Sequence, residues 1–113
     1  LGVCNYIGLD LSQIENEASM PGSYSLLQNY PNPFNPTTTI RYDLPENSHV
    51  TITIYDMRGR KVKTLVNCTK DAGYRSVVWD ASNAYDQPVS GGIYLCQIQA
   101  GEYLQTKKMI FLK

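Results

Sequence analysis

The side chains able to do chemistry are few: one histidine, His49, and three cysteines, Cys4, Cys68 and Cys96. A structural zinc site needs four ligands, usually supplied as closely spaced pairs, and no C-x-x-C occurs here. Zinc is therefore set aside. Nucleophilic catalysis needs a base within reach of a hydroxyl or thiol, and His49 lies in a polar turn before a strand, with no serine or cysteine that the sequence can place beside it. Asp and Glu occur singly on turns and polar faces, where solvated surface is the ordinary explanation. The glycines do not form a phosphate loop. The residue inventory thus points away from an enzyme, with no catalytic, metal or cofactor-binding residues expected.

The cysteines carry a different question. Cys96 lies in an alternating apolar run and reads as a buried small hydrophobe, whereas Cys68 reads as part of a polar loop. A Cys68–Cys96 disulfide is one option in an oxidising compartment, and the odd count leaves one thiol over. The tripeptide Asn67-Cys68-Thr69 formally matches a glycosylation sequon.

Charge and length narrow the classes further. Ten basic and ten acidic residues cancel over 113 residues, so no net field favours nucleic acid or an anionic membrane surface. No apolar run approaches the roughly 20 residues that span a bilayer, and no signal-peptide pattern opens the chain. The start at Leu1 suggests a piece of a longer protein, so the lack of a leader says nothing of location. An apolar content of 42% supports one small core and one domain.

The elements that would carry these residues are strands. Asn29-Tyr30-Pro31-Asn32-Pro33-Phe34-Asn35-Pro36 can be neither helix nor central strand, because three prolines fix φ and remove three donors. It is expected to run extended as a strap anchored by Tyr30 and Phe34. After it the period is two. Ile40, Tyr42 and Leu44 alternate with polar residues, as do Val50, Ile52 and Ile54. Asp56–Arg60 is expected as a hairpin loop with Gly59 at positive φ, returning through Lys61–Val66. A fourth strand runs from Gly73 through Trp79 and Asp80, a long loop or short edge strand covers Ala81–Gly92, and Ile93–Ala100 and Tyr103–Leu112 form a hairpin through Gly101-Glu102. Residues 1–23 show no clear period; Ser12 with Glu15 could cap a short helix to Ala18, and the stretch reads as a linker or the tail of a preceding domain.

Six or seven short strands with a turn roughly every 8 to 12 residues predict an all-β fold, a small antiparallel sandwich of about seven strands occupying residues 24–113. Ile40, Tyr42, Val50, Ile52, Ile54, Val77, Trp79, Tyr94, Ile98 and either Met109 or Ile110 are the expected inward positions. Burial at roughly 1.5–3 kcal/mol per large side chain must offset the backbone entropy of a small domain.

From Leu26 to Lys113 the chain also resembles a known family, the type A C-terminal sorting domain of the type IX secretion system of Bacteroidota. The matching pieces are Leu27–Pro36, Ile54-Tyr55-Asp56 with Gly59-Arg60, Ala72-Gly73, Val78-Trp79-Asp80, Ser90-Gly91-Gly92-Ile93-Tyr94 and Lys107-Lys108-Met109-Ile110, in the family's order. Asn29, Pro31, Asn32, Pro33, Phe34, Trp79, Gly92 and Tyr94 form its structural signature. Cys96, where the family more often carries a bulky residue, and Cys68 depart from the pattern.

The resemblance implies an immunoglobulin-like sandwich at the end of a larger secreted protein, acting as a non-catalytic secretion signal. It implies as partners the cargo domain on the N-terminal side, an outer-membrane translocon and a sortase-like processing protease, with passage through the periplasm to the outer-membrane surface or the medium. A machine that accepts folded cargo should read a folded surface or an open edge. Tyr103–Lys113 is expected as a terminal strand with a free edge, with Lys107, Lys108 and Lys113 flanking Met109, Ile110, Phe111 and Leu112 as the translocon contact. Lysines on an edge also serve simply to prevent aggregation. Gly59 and Arg60 have two readings, hairpin geometry and translocon contact. Processing is expected between Ser12 and Ser23, where backbone is accessible.

A rival reading is an immunoglobulin-type adhesion or sugar-binding module, since Trp79 followed by Tyr94-Leu95-Cys96 imitates the tryptophan and tyrosine-corner pattern. Only the 14 residues from Asp80 to Ile93 lie between them, with Pro88, Gly91 and Gly92 among them, too few for the strands that pattern needs.

Overall fold

The computed structural model describes residues 20–113. The helix considered at Ser12–Ala18, the expected processing stretch as far as Ser19, and Cys4 lie outside the described residues. Seven strands follow in order: β1 Ser25–Leu26, β2 Thr38–Leu44, β3 Ser48–Asp56, β4 Lys61–Lys70, β5 Gly73–Trp79, β6 Gly92–Ala100 and β7 Tyr103–Phe111. They form two antiparallel sheets, β1-β2-β5 and β4-β3-β6-β7. The fold is the all-β sandwich the alternation predicts.

Alternation explains most of the core. On β2, Ile40, Tyr42 and Leu44 are buried while Arg41 is exposed, and on β3, Val50, Ile52 and Ile54 are fully buried. On β7 the ambiguity resolves to Met109, which is 0% exposed, with Ile110 half-buried on the other face. Val77, expected inside, is half-buried at the sheet's rim, because its strand β5 has a neighbour on one side only.

Two departures have local causes. β4 continues to Lys70 instead of ending at Val66, so Cys68 sits in a strand opposite Val50 rather than in a loop. The β3–β4 register also shifts between Ile52 and Thr53, where the partners step from Val66 to Thr64. Leu65 is the extra residue of a bulge, which is how Leu65 and Val66 both reach the core although they are neighbours. Cys68 is disulfide-bonded and Cys96 is a buried free thiol, so the two are not joined to each other.

The strap is not extended. It bends at Pro31–Pro33 and again at Asn35–Pro36, because it leaves the β2 sheet at Tyr30, touches the other sheet at Phe34 and returns to β2 at Thr38. Tyr30 exchanges both main-chain bonds with Thr39 of β2, at 3.0 and 2.9 Å, while Phe34 forms a parallel bridge to Phe111 of β7. A straight run could not reach across the sandwich and return to β2 within these few residues.

Candidate functional site

Three side chains peg the strap down. The Asn29 carboxamide is buried and donates through Nδ2 to Thr38 Oγ1 at 2.9 Å and to the Pro31 carbonyl at 3.2 Å. Thr38 Oγ1 in turn donates to the same carbonyl at 2.9 Å. The Pro31 carbonyl is thereby satisfied by two side-chain donors. The third peg is Phe34, 2% exposed, which enters between the sheets.

Phe34 completes an aromatic cluster. Its ring stacks on Phe111 with centroids 5.2 Å apart and tilts against Trp79 at 5.7 Å; Trp79 meets Tyr94 edge-on at 5.3 Å. These separations suit aromatic pairs, which favour offset and edge contacts. The indole Nε1 donates to the Ser82 carbonyl at 2.9 Å and the Tyr94 hydroxyl donates to the Ser90 carbonyl, so the loop 81–91 closes over the cluster. Residues from the strap, β5, β6 and β7 thus meet at one end of the core. Gly92 pairs with Phe111, and at the neighbouring Gly91 a Cβ would lie 3.2 Å from the Phe111 carbonyl and 3.1 Å from the Lys113 Cβ.

The strap also closes the edge of β7. Phe34 N–H donates to the Ile110 carbonyl and Leu112 N–H to the Phe34 carbonyl, both at 3.0 Å. Where the strap turns away, side-chain amides replace its main chain: Asn32 Oδ1 accepts from Ile110 N–H at 2.9 Å and Gln28 Nε2 donates to the Lys108 carbonyl at 2.8 Å. The free edge expected for the terminal strand is therefore occupied from Lys108 to Leu112. The sequence does hold a hint of this, since asparagine and glutamine beside prolines offer the hydrogen bonds that proline lacks.

Of the residues expected to contact a translocon, Met109 and Phe111 are core, while Lys108, Leu112 and Lys113 are exposed and Lys107 and Ile110 are half-buried. Met109 and Phe111 share one face of the strand with Lys107, whereas Lys108 and Ile110 lie on the other. Gly59 and Arg60 lie far along the chain, in the β3–β4 turn. Gly59 has φ 83°, and Asp56 accepts from the backbone of Arg58 and Arg60 and pairs with Arg60 Nε at 2.9 Å. Those hydrogen bonds from the Arg60 and Arg58 amides, with the guanidinium, hold the Asp56 carboxyl below its ordinary range. This turn rims a shallow depression of about 420 Å³ shared with Asn83, Tyr85, Val89 and Tyr94.

Sequence reading missed a polar cluster beneath the 81–91 loop. Lys63 Nζ donates to Ser82 Oγ at 2.9 Å and to Asp86 Oδ1 at 3.1 Å, and Ser82 Oγ donates to Asp80. The hydrogen bond from Ser82, with Lys63 nearby, holds the Asp80 carboxyl below its usual value. This cluster fixes the loop. Among the described residues, no three His, Cys, Asp or Glu side chains come together as metal ligands. Burial pushes the Cys96 thiol up to about 12, where it is inert as a nucleophile.

The family model described as "Secretion system C-terminal sorting domain" matches residues 28–112, from Gln28 before the strap to Leu112 just past β7. The chain belongs to this family. The sorting domain is non-catalytic and directs secretion of the protein that carries it, to the cell surface or beyond, through the secretion machinery. No curated protein matches the chain. Among solved structures, it is similar to a part of dimeric latent PorU from Porphyromonas gingivalis, at 22% identity and a TM-score of 0.61, covering 81% of this chain and 9% of that one. It is also similar to a part of PorZ of the same organism, described as an essential surface component of the type-IX secretion system, at 18% identity and a TM-score of 0.55, covering 79% of this chain and 12% of that one. The sorting domain thus spans about a tenth of either protein, and at these identities the likeness concerns the fold.

Proposed function

We propose that the domain, residues 24–113, routes a folded protein joined to its N-terminal side from the periplasm across the outer membrane through the type IX translocon. The family match over residues 28–112 is the observation that supports this. A sortase-like protease then cuts in the lead, residues 1–23, between Ser12 and Ser23. The translocon reads the folded sandwich by its surface. Lys107, Lys108, Ile110, Leu112 and Lys113 supply contacts from β7, whereas Met109 and Phe111 act from inside by holding that strand in place. Gly59 and Arg60 shape a turn that offers a second contact.

The test is to fuse the chain behind a periplasmic reporter in a type IX-competent host and measure reporter in the medium and on the cell surface. Export is expected for the whole chain and for residues 24–113 alone. Retention of both in the periplasm would refute the routing. Deleting Lys107–Lys113 should also abolish export, but that deletion removes two core residues, so surface substitutions are the cleaner probe of recognition.

A further inference from the structure

We propose that two copies of this chain join edge to edge along β5, about a two-fold axis at Ser76, and so merge their three-stranded sheets into one. The hydrogen bonds of β2 show which groups of β5 are open. Tyr30 and Thr39 exchange both main-chain bonds, Arg41 accepts from the Leu27 amide and Asp43 pairs with Ser25, so these three β2 residues turn their main-chain groups toward the strap and β1. Alternation sends those of Thr38, Ile40, Tyr42 and Leu44 the other way, to Trp79, Val77, Arg75 and Gly73 of β5. The amides and carbonyls of Tyr74, Ser76 and Val78 therefore point away from β2, and among the described residues none of them has a main-chain partner. Their side chains lie on the outer face, with Tyr74 48% and Val78 57% exposed.

Other edges of the fold are guarded. The strap and its side chains cover β7 from Lys108 to Leu112, and β4 carries Lys61, Lys63, Lys70 and the bulge at Leu65. Over its seven residues β5 has no lysine, no proline and no bulge. Such an edge is a template for another strand.

The strand that fits it best is its own copy. With Ser76 on the axis, Tyr74 meets the partner's Val78, Ser76 meets the partner's Ser76 and Val78 meets the partner's Tyr74. All three are pairs of open residues, each able to exchange two main-chain bonds, and the outer two set an aromatic against a β-branched side chain, a favoured cross-strand pair. On the outer face this extends the row Tyr30, Thr39, Val78 by the partner's Tyr74. Charge selects this register: Arg75 meets the partner's Val77, whereas a slip of two residues one way sets Arg75 against the partner's Arg75, and the other way sets Tyr74 against the partner's Asp80, beyond the strand. A slip of one residue brings open groups against groups already bonded to β2. Residues 70–80 hold two basic side chains, Lys70 and Arg75, and two acidic ones, Asp71 and Asp80, and the whole chain balances ten against ten, so no net field keeps copies apart. A two-fold pairing of this kind closes on itself as a dimer.

Sedimentation equilibrium of the full chain tests the pairing from about 10 µM to about 1 mM, the range suited to a contact of one strand on one strand, at the small end of specific interfaces. The chain should pass from monomer to dimer. As it does, hydrogen exchange at the Tyr74, Ser76 and Val78 amides should slow at least about tenfold, with Arg75 and Val77, already paired with β2, little changed. Ser76→Pro removes the amide at the axis, which β2 does not use, and Ser76→Lys sets two ammonium groups against each other there. Both should remain monomeric at about 1 mM, and the lysine, at an exposed position, should leave the unfolding midpoint within about 5 °C of the parent. Leu104→Ser, an exposed apolar site on the other sheet, should dimerise like the parent. A monomer at every concentration, a dimer without protection of those three amides, a dimer that survives Ser76→Lys, or one that Leu104→Ser abolishes would overturn pairing through β5. A dimer that persists in denaturing gels without reductant would be a disulfide between copies and would overturn it as well. Protection of the three amides at about 10 µM, with the chain still monomeric, would give the edge to another segment of the same chain and overturn the second copy. None of these readouts involves export, so the pairing and the routing stand or fall separately.

Discussion

Phe34 and Tyr30 stand four residues apart in the same strap and have opposite fates. Phe34→Ala should cost about 3–5 kcal/mol, since it removes a ring packed between Phe111 and Trp79. Tyr30→Ala should change stability by no more than about 0.5 kcal/mol, its ring being largely in water. Urea unfolding of the two variants measures both, and similar losses would contradict the peg assignment. Cys96 offers a second residue-scale check. With its thiol buried and pushed up to about 12, it should resist iodoacetamide at pH 8 in the folded chain and react once the chain is unfolded in urea. Alkylation of Cys96 at equal rates in both states would rule out the burial. Its place on an alternating strand made that burial legible beforehand. Cys68 reads as loop for the converse reason: Asn67, Thr69 and Lys70 around it are polar, and only pairing with β3 makes them a strand.

Between residues and the whole, the strap is the element with the most to explain. Its existence and its rigidity follow from the prolines, but its path does not, because the groups that bend it are remote. Asn32 and Ile110 are 78 positions apart, and no local pattern announces that bond. The bulge that buries Leu65 and Val66 together was hidden in the same way, since period-two reading assigns neighbouring residues to opposite faces. The side-chain closure of β7 can be tested directly. Asn32→Ala removes the acceptor for the Ile110 amide and should raise hydrogen exchange there at least about tenfold, the rate effect of losing about 1.4 kcal/mol of local protection, with Cys96 on the paired β6 unchanged. Equal protection of Ile110 in parent and variant would show that the carboxamide does not guard that edge.

For the molecule as a whole, acid and alkali should act through different groups. The carboxyls of Asp56 and Asp80 are held below their ordinary value of 3.8, so their contribution is complete above about pH 4 and disappears as pH falls through their lowered values. Asp43, raised by burial against the opposing effect of Arg41, works the other way and partly offsets this at low pH. In alkali, burial raises Cys96 from 9.0 and Tyr42 from 10.0, each to about 12. Groups raised in the folded state stabilise it below their unfolded values and cease to do so as pH climbs through the folded ones, so urea midpoints should fall between about pH 9 and 12. Cys96→Ala and Tyr42→Phe together should flatten that alkaline limb; an unchanged slope would exclude these two groups as its source.

The strap's attachment to both sheets also determines how the domain answers a mechanical load. Tension arriving from a protein tethered on the N-terminal side passes through Tyr24–Gln28 and meets the Asn29 and Phe34 pegs before it reaches β3, β4, β5 or β6. It is then shared between one layer through Tyr30 and Thr39 and the other through Phe34 and Leu112. Such a load therefore meets a clasp spanning both layers rather than a single strand that could be unzipped.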